Sequence, residues 1–169
     1  PRNGAWYTRR QMETRPAAQA ALQGHEIAWL ADPVDAMILQ IQGSGRLRIQ
    51  EPDGSEQLVR LAFAGTNNQP YRSPGSWLQQ QGYVSDATWP GIKRWLAANP
   101  DRVQDFLWSN PRVVFFKEEP LGTDAAGGPR GAEGVTLTAG RSIAVDPRSI
   151  PYGTPVWLAS AGPTADLQR

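Results

Sequence analysis

The stretch Gln40-Ile41-Gln42-Gly43-Ser44-Gly45-Arg46 decides the fold that the sequence predicts. Apolar residues recur on both sides of it, so residues 37–49 are expected to form two short strands that are interrupted at Gly43-Ser44-Gly45. Pro52-Asp53-Gly54 then predicts a turn into a strand over residues 57–64. We therefore expect a β-hairpin with a glycine break.

The glycine break is also a candidate binding segment. Its two glycines let the backbone approach a ligand closely, and Gln42 and Ser44 offer donors and acceptors. A phosphate loop is excluded because the Gly-Lys-Ser/Thr ending is absent. A nucleophile elbow is also excluded, because its Gly-x-Ser-x-Gly pattern has one more residue before the serine than Gly43-Ser44-Gly45. On spacing alone, a β-bulge or strand kink that requires glycine remains an alternative.

Helices are predicted on both sides of this hairpin. Thr8-Arg9-Arg10-Gln11 is a capping-box pattern that opens a helix toward Leu22, kinked at Pro16. Ser73-Pro74 opens a short helix that Gly82 closes. Two more helices, near residues 88–98 and 100–108, each carry an apolar face.

Further strands are predicted over residues 113–117, 137–145 and 155–159. Residues 120–134 are rich in Gly, Ala and Pro and are expected to be a loop or a domain boundary. The predicted fold is therefore mainly β with short helices.

Composition excludes several classes of site. The chain has 169 residues with 17 Lys+Arg against 16 Asp+Glu, a net charge of +1 that argues against a nucleic-acid partner. It contains no cysteine and a single histidine, His25, so disulfides and cysteine- or multi-histidine metal sites are impossible.

No apolar segment approaches the ~20 residues that a membrane-spanning helix needs. No signal peptide is present, which leaves the compartment undetermined.

The segment Ala64-Gly65-Thr66-Asn67-Asn68-Gln69-Pro70-Tyr71-Arg72-Ser73 is polar and lies between a predicted strand and a predicted helix. Amides, a hydroxyl, an aromatic face and a guanidinium together suit a sugar, which is rich in hydroxyl groups and apolar on one ring face. A capped turn without a ligand remains the alternative.

Among the carboxylates, Asp146 is the candidate for a functional group. It follows the predicted strand Ile143-Ala144-Val145 and lies close in sequence to Arg141 and Arg148, so we expect a partly buried, charge-paired side chain at a rigid strand end. Those arginines would hold Asp146 ionised and make it a poor acid. A structural ion pair gives the same pattern.

Five motifs occur in an order that resembles the membrane-bound lytic murein transglycosylase A family, over nearly all of residues 1–160. They are Asp32-Pro33-Val34-Asp35-Ala36; Gln40-Ile41-Gln42-Gly43-Ser44-Gly45-Arg46-Leu47; Ala64-Gly65-Thr66-Asn67 with Tyr71-Arg72-Ser73; Asn110-Pro111 with Val114-Phe115-Phe116; and Leu137-Thr138-Ala139-Gly140-Arg141-Ser142-Ile143-Ala144-Val145-Asp146-Pro147.

The resemblance implies a periplasmic enzyme, anchored to the outer membrane by a lipid that this chain does not carry. It would cleave the MurNAc–GlcNAc β-1,4 bond of peptidoglycan and leave a 1,6-anhydro-MurNAc end. The implied partners are peptidoglycan glycan strands, with no metal or cofactor, and the implied state is a monomer. The implied fold is a β-barrel insert domain, here mainly residues 1–118 with flanking helices, plus the first, incomplete part of a double-psi β-barrel in residues 119–169.

The resemblance also assigns roles to residues. Asp146 matches the first of three family aspartates and is expected to support the site, while the catalytic aspartate lies in a segment downstream of Arg169. Substrate binding is expected at Gln42, Ser44, Gly45, Tyr71, Arg72 and Arg141. Four of these residues are expected to line one cleft: Gln42, Ser44, Tyr71 and Arg72. A peptidoglycan-binding fragment without catalytic activity is the alternative function.

Overall fold

Capping side chains set the boundaries of the first two helices in this computed structural model, which describes residues 4–119, 121, 128–131, 133–161 and 166–168. The Thr8 hydroxyl accepts from the Gln11 N–H at 3.3 Å and the Gln11 side chain accepts from the Thr8 N–H at 3.0 Å, which confirms the capping box of α1 (Arg9–Thr14). Pro16 is the first residue of α2 (Pro16–Leu22), so it separates two helices where one kinked helix was predicted.

The segment before Gly43 is helical, and the prediction of a strand there is wrong. It forms α3 (Pro33–Gln42), whose first N–H groups are capped by Asp32, which accepts from the Val34 N–H at 2.8 Å. Gly43, with φ of 75°, ends α3 in the left-handed conformation and donates to the Leu39 carbonyl. An apolar run this short fits either a strand or a buried helix face, and here the two caps make it a helix.

A three-stranded antiparallel sheet follows, in the order β1-β2-β3. Its strands are β1 (Gly45–Gln50), β2 (Glu56–Thr66) and β3 (Val114–Glu119). The Pro52-Asp53-Gly54 turn joins β1 to β2, which confirms the turn predicted there. The register of β2 against β3 shifts between Phe63 and Gly65, which is a bulge near the end of β2.

Helices packed beside the sheet enclose the core of this part of the chain. They are α4 (Pro74–Gln80), α5 (Trp89–Ala98), a short 3-10 helix (Pro100–Arg102) and α6 (Val103–Trp108), in the positions predicted. The core is formed by side chains from α3 to α6, of which the buried members are Val34, Met37, Leu78, Ile92, Leu96, Phe106 and Leu107.

The chain divides into two compact units, residues 1–120 and 121–169. In the second unit β4 (Ala159–Ala161) pairs antiparallel with β5 (Asp166–Gln168). The strand predicted over residues 137–145 is wrong, because the N–H groups of Arg141 and Ser142 both bond to the Thr138 carbonyl and form a turn. The strand predicted over residues 155–159 is found only at its last residue. Much of the predicted loop at 120–134 lies outside the described residues.

Short helices and an antiparallel sheet were predicted, but the proportion of helix to strand differs from the prediction. Helical residues outnumber strand residues in the described part of the chain, so that part is not mainly β. The β-barrel and double-psi arrangements stay predictions. Within the same residues, no helix is both long and apolar enough to cross a membrane.

Candidate substrate-binding site

A cavity of about 450 Å³ lies in the first unit, where the end of α3 meets the end of β2 and the start of β3. Its wall combines apolar and polar side chains, and its lining residues are Gln40, Ile41, Gly43, Phe63, Thr66, Tyr71, Asn110, Arg112 and Val114. We call it the first cavity. Few convergent polar groups on a largely apolar wall are typical of a small-molecule site.

Two aromatic rings at the first cavity are exposed to solvent. Phe63 is 55% exposed and Tyr71 is 48% exposed. Phe63 lies next to the bulge of β2, where the strand bends, and Tyr71 lies in the connection that leads to α4. An exposed ring that borders a polar cavity can stack against the apolar face of a sugar.

Asn110 joins two parts of the cavity wall. Its side chain is 3% exposed, and its Oδ1 accepts from the backbone N–H of Arg72 at 3.3 Å and of Arg112 at 3.2 Å. The Arg112 Nε donates to the Gln69 carbonyl at 2.7 Å. These bonds hold the segment that carries Tyr71 against the connection between α6 and β3.

A buried arginine lies behind this wall. Arg9 donates from Nε to the Asn110 carbonyl at 3.2 Å, and from Nη2 to the Arg112 carbonyl at 2.8 Å and to the Gln40 Oε1 at 2.6 Å. Burial lowers the pKa of Arg9 to about 10, and the Glu13 carboxylate opposes that shift. Arg9 is therefore still a cation at neutral pH.

Asn67, at the end of β2, also holds the connection between α6 and β3. It is 1% exposed, and its Nδ2 donates to the carbonyls of Tyr7 at 2.8 Å and Pro111 at 2.9 Å. Its Oδ1 accepts from the Val113 N–H at 2.9 Å. The polar groups around the first cavity are thus held by buried hydrogen bonds before any ligand binds.

Of the residues predicted to bind substrate in the first unit, only Tyr71 lines the first cavity. Gln42 and Arg72 are exposed, and Ser44 is half-buried without lining the cavity. Gly45 has a packing role, because a Cβ there would overlap the Leu39 side chain. The first cavity therefore does not bring Gln42, Ser44, Tyr71 and Arg72 together, and the single cleft and the binding roles stay predictions.

The other two predicted site residues, Arg141 and Asp146, lie in the second unit. Arg148 forms an ion pair with Asp146, with 2.8 Å between Nη2 and Oδ2, and this bond, aided by the Arg148 N–H, lowers the pKa of Asp146. Asp146 is exposed and begins a turn, so the expected burial and strand end are wrong, while the charge pair is confirmed. In the described residues Arg141 makes no bond to Asp146.

A second cavity of about 590 Å³ lies in the first unit, and its wall is mainly apolar. His25 and Gln40 are its main polar side chains, whereas its walls include Leu39, Leu61 and Phe115. It offers few partners for a hydroxyl-rich ligand. Among the residues that the structure describes, no group of three or more His, Cys, Asp or Glu side chains could hold a metal ion.

Sequence reasoning missed most of the first cavity. Phe63 was read only as part of a strand, and Arg9 only as part of a capping box. Asn110 belongs to the Asn110-Pro111 motif, whose asparagine before a proline at a helix end was a usable signal for a side chain that binds backbone groups. The bonds of Arg9 reach residues 31 to 103 positions away, which no local pattern reveals.

Comparison with known proteins places these features in a family. The family model described as "MltA specific insert domain" matches residues 2–117. A curated relative, "Membrane-bound lytic murein transglycosylase A" of Vibrio cholerae, is 34% identical over 137 residues, which are 79% of this chain and 35% of that protein.

Two solved structures are similar over nearly the whole chain. The lytic transglycosylase LtgG of Burkholderia pseudomallei has 46% identity and a TM-score of 0.69, over 100% of this chain and 49% of that one. MltA of Escherichia coli with bound chitohexaose has 30% identity and a TM-score of 0.71, over 89% of this chain and 42% of that one. The chain spans half or less of each of these relatives. From its match to the insert-domain model and these likenesses, the chain belongs to the membrane-bound lytic murein transglycosylase A (MltA) family.

Proposed function

We propose that this chain is part of a lytic transglycosylase that cleaves the MurNAc–GlcNAc β-1,4 bond of peptidoglycan, and that the first cavity contacts the glycan. One observation carries the proposal: in a chain of this family, a cavity brings two exposed rings together with amide, hydroxyl and guanidinium groups. A related structure holds chitohexaose, a glycan of N-acetylglucosamine, which supports the same class of ligand here.

The reaction that leaves a 1,6-anhydro end needs one carboxylic acid. The acid protonates the glycosidic oxygen as the bond from C1 breaks, and the resulting carboxylate takes the proton of the MurNAc C6 hydroxyl as that oxygen bonds to C1. The nucleophile therefore comes from the substrate, unlike hydrolysis with two carboxylates.

We assign this acid to a residue outside the 169 residues. None of the residues that line the first cavity is acidic. Asp146 is paired with Arg148, which stabilises its ionised form, whereas a catalytic acid needs a raised pKa. Asp146 is therefore proposed to support the site without donating the proton.

The same proposal covers domains and location. Residues 1–118 are the inserted β-domain with its flanking helices, which the match of the insert-domain model to residues 2–117 supports. Residues 119–169 are the first part of the double-psi β-barrel. The complete protein is a periplasmic monomer with a lipid anchor in the outer membrane, and the word "membrane-bound" in the name of the Vibrio relative supports an envelope location.

Glycan binding is tested by titrating chitohexaose into the 169-residue chain and following backbone amide signals by NMR. We expect shifts at Gln40, Tyr71 and Arg112, and Tyr71→Ala should weaken affinity roughly 3- to 10-fold through loss of ring stacking. Trp29→Ala is the matched control, since Trp29 is 87% exposed and lies outside the first cavity. Equal effects of the two substitutions would refute the site.

The alternative, a peptidoglycan-binding fragment, is tested on purified sacculi. The 169-residue chain should bind them and release no anhydro-muropeptides, as judged by mass spectrometry, whereas a longer protein that includes the downstream segment should release them. Release by the short chain would place the acid inside it. No release by the longer protein would favour the binding fragment.

A further inference from the structure

We infer that Arg9 is a positioning residue that orients the Gln40 amide, so that its NH2 group faces the first cavity as a donor and selects the acetamido carbonyl of the glycan. This inference rests on the proposed glycan binding. It assigns a specificity role to Gln40, which acts on the ligand, and to Arg9, which also binds the carbonyls of Asn110 and Arg112 but affects this selection through Gln40.

The first step is the orientation of Gln40. A guanidinium has only donors, so the oxygen of the Gln40 amide must be the atom that meets Arg9, as the 2.6 Å bond from Nη2 to Oε1 shows. The NH2 group of Gln40 keeps two donors, and it has no hydrogen-bond partner among the described residues. Gln40 lines both the first and the second cavity. The wall of the second cavity is mainly apolar, so a polar ligand in the first cavity is the partner that fits this donor.

The buried Arg9 fixes this orientation of the Gln40 amide. Arg9 is 7% exposed and is held by the carbonyls of Asn110 and Arg112 as well as by Gln40. A flipped Gln40 would direct its NH2 group at the guanidinium, donor against donor, and would leave a buried donor of Arg9 without a partner. Such a group costs roughly 1–3 kcal/mol.

The third step is the chemistry that fits this donor. Arg9 and Arg112 are cations beside the first cavity and its lining contains no carboxylate, so the local potential favours an acceptor oxygen. An acetamido group offers an amide carbonyl as acceptor and a methyl group that suits the rings of Phe63 and Tyr71. A hydroxyl in the same place offers a weaker acceptor and no methyl group.

The test compares two neutral glycans on the full 169-residue chain by calorimetry. Chitohexaose carries an acetamido group at C2 of every sugar, whereas cellohexaose carries a hydroxyl there. The wild-type chain should prefer chitohexaose. Gln40→Met removes the donor, and Gln40→Glu removes it while keeping an oxygen for Arg9, so both should reduce the preference roughly 2- to 10-fold, as expected for one lost hydrogen bond. An unchanged preference in Gln40→Glu overturns the inference.

Arg9 is tested by whether it acts through Gln40. Arg9→Met should reduce the preference in the wild-type background and leave it unchanged in the Gln40→Met background. A loss of affinity for both glycans at a constant ratio would make Arg9 merely structural and overturn its role. Should Arg9→Met not fold, Arg9→Lys replaces it, because it keeps the buried cation but its single nitrogen cannot occupy the positions of both Nε and Nη2, from which Arg9 bonds to Asn110, Arg112 and Gln40.

Failure of the inference differs from failure of the proposed function. Equal affinity of the wild-type chain for the two glycans overturns the selection of acetamido groups and leaves glycan binding standing. Binding of neither glycan overturns both.

Discussion

The side chain of Asn67 donates a hydrogen bond to the carbonyl of Pro111, with 2.9 Å between Nδ2 and the oxygen, and so joins the end of β2 to a connection 44 positions later. Arg9 donates its backbone N–H to the same carbonyl at 3.0 Å. Two buried polar residues from distant parts of the sequence therefore fix one short connection, which carries Asn110 and Arg112 into the first cavity.

Asn67→Asp should destabilise the first unit severely. The substitution replaces a donor that serves the carbonyls of Tyr7 and Pro111 with an acceptor, in a position that is 1% exposed. We expect the free energy of unfolding to fall by about 3 kcal/mol or more in a urea titration followed by circular dichroism. Gln57→Ala, which removes an exposed amide from β2, is the control and should change it by less than about 0.5 kcal/mol.

Gly43→Ala should lower stability through the backbone alone. Gly43 has φ of 75° at the end of α3, and no atom lies near the position of an added Cβ. We expect a loss of about 1 kcal/mol because a side chain disfavours this conformation, measured by urea unfolding. Gly65→Ala is the matched control, since Gly65 also has open space but no positive φ. A similar loss at both glycines would contradict the explanation.

Asp32 and Asp35 should differ in their response to salt. Both pair with Lys93 of α5, and the Asp35 bond is the main reason that the pKa of Lys93 is raised. Asp32 also caps α3, so Asp32→Ala should cost about 1 kcal/mol of unfolding free energy at low and at high salt. The smaller effect of Asp35→Ala should disappear at high salt, because exposed ion pairs are screened. If the effect of Asp32→Ala also disappeared at high salt, the cap would contribute nothing.

Asp146 should titrate below the usual range of an aspartate. Its pKa is lowered by Arg148, so any stability that the pair adds is present above the pKa of the unfolded chain and is lost as the pH falls through the folded value. NMR titration of the carboxyl carbon should show a low midpoint that rises in Arg148→Gln and stays low in Arg141→Gln. In the longer enzyme, Asp146→Asn should reduce activity only in part. Complete loss in a folded variant would make Asp146 the acid.

Local signals in the sequence were enough to predict most helix boundaries. Ser73-Pro74 and Thr88 begin α4 and α5 as predicted, because an oxygen of the capping side chain accepts from a nearby N–H in each case. The same kind of signal, Asp32 with Pro33, begins α3, but the apolar residues from Met37 onward were assigned to a strand. The error arose because an apolar run of this length fits both a strand and a buried helix face.

The candidate site was harder to predict than the fold. Tyr71 was found because aromatic and polar residues cluster around it in sequence. Gln40 was quoted in a motif but not chosen, because its role depends on Arg9, 31 positions earlier. Arg141 was placed on a strand and Asp146 directly after it, whereas the backbone N–H groups of Arg141 and Ser142 bond to the Thr138 carbonyl and form a turn. Long-range hydrogen bonds and competition between turns and strands are not encoded in short windows.

The exposed turn at Pro52-Asp53-Gly54 gives the chain a convenient point of attachment for a label. β2 starts at Glu56 and reaches the first cavity at Phe63, seven residues later, so the turn, which precedes Glu56, lies more than about 20 Å along the strand from the cavity. The sequence contains no cysteine. A single cysteine introduced by Pro52→Cys would therefore react alone with a fluorophore or a surface, and would leave the residues proposed to contact the glycan unmodified.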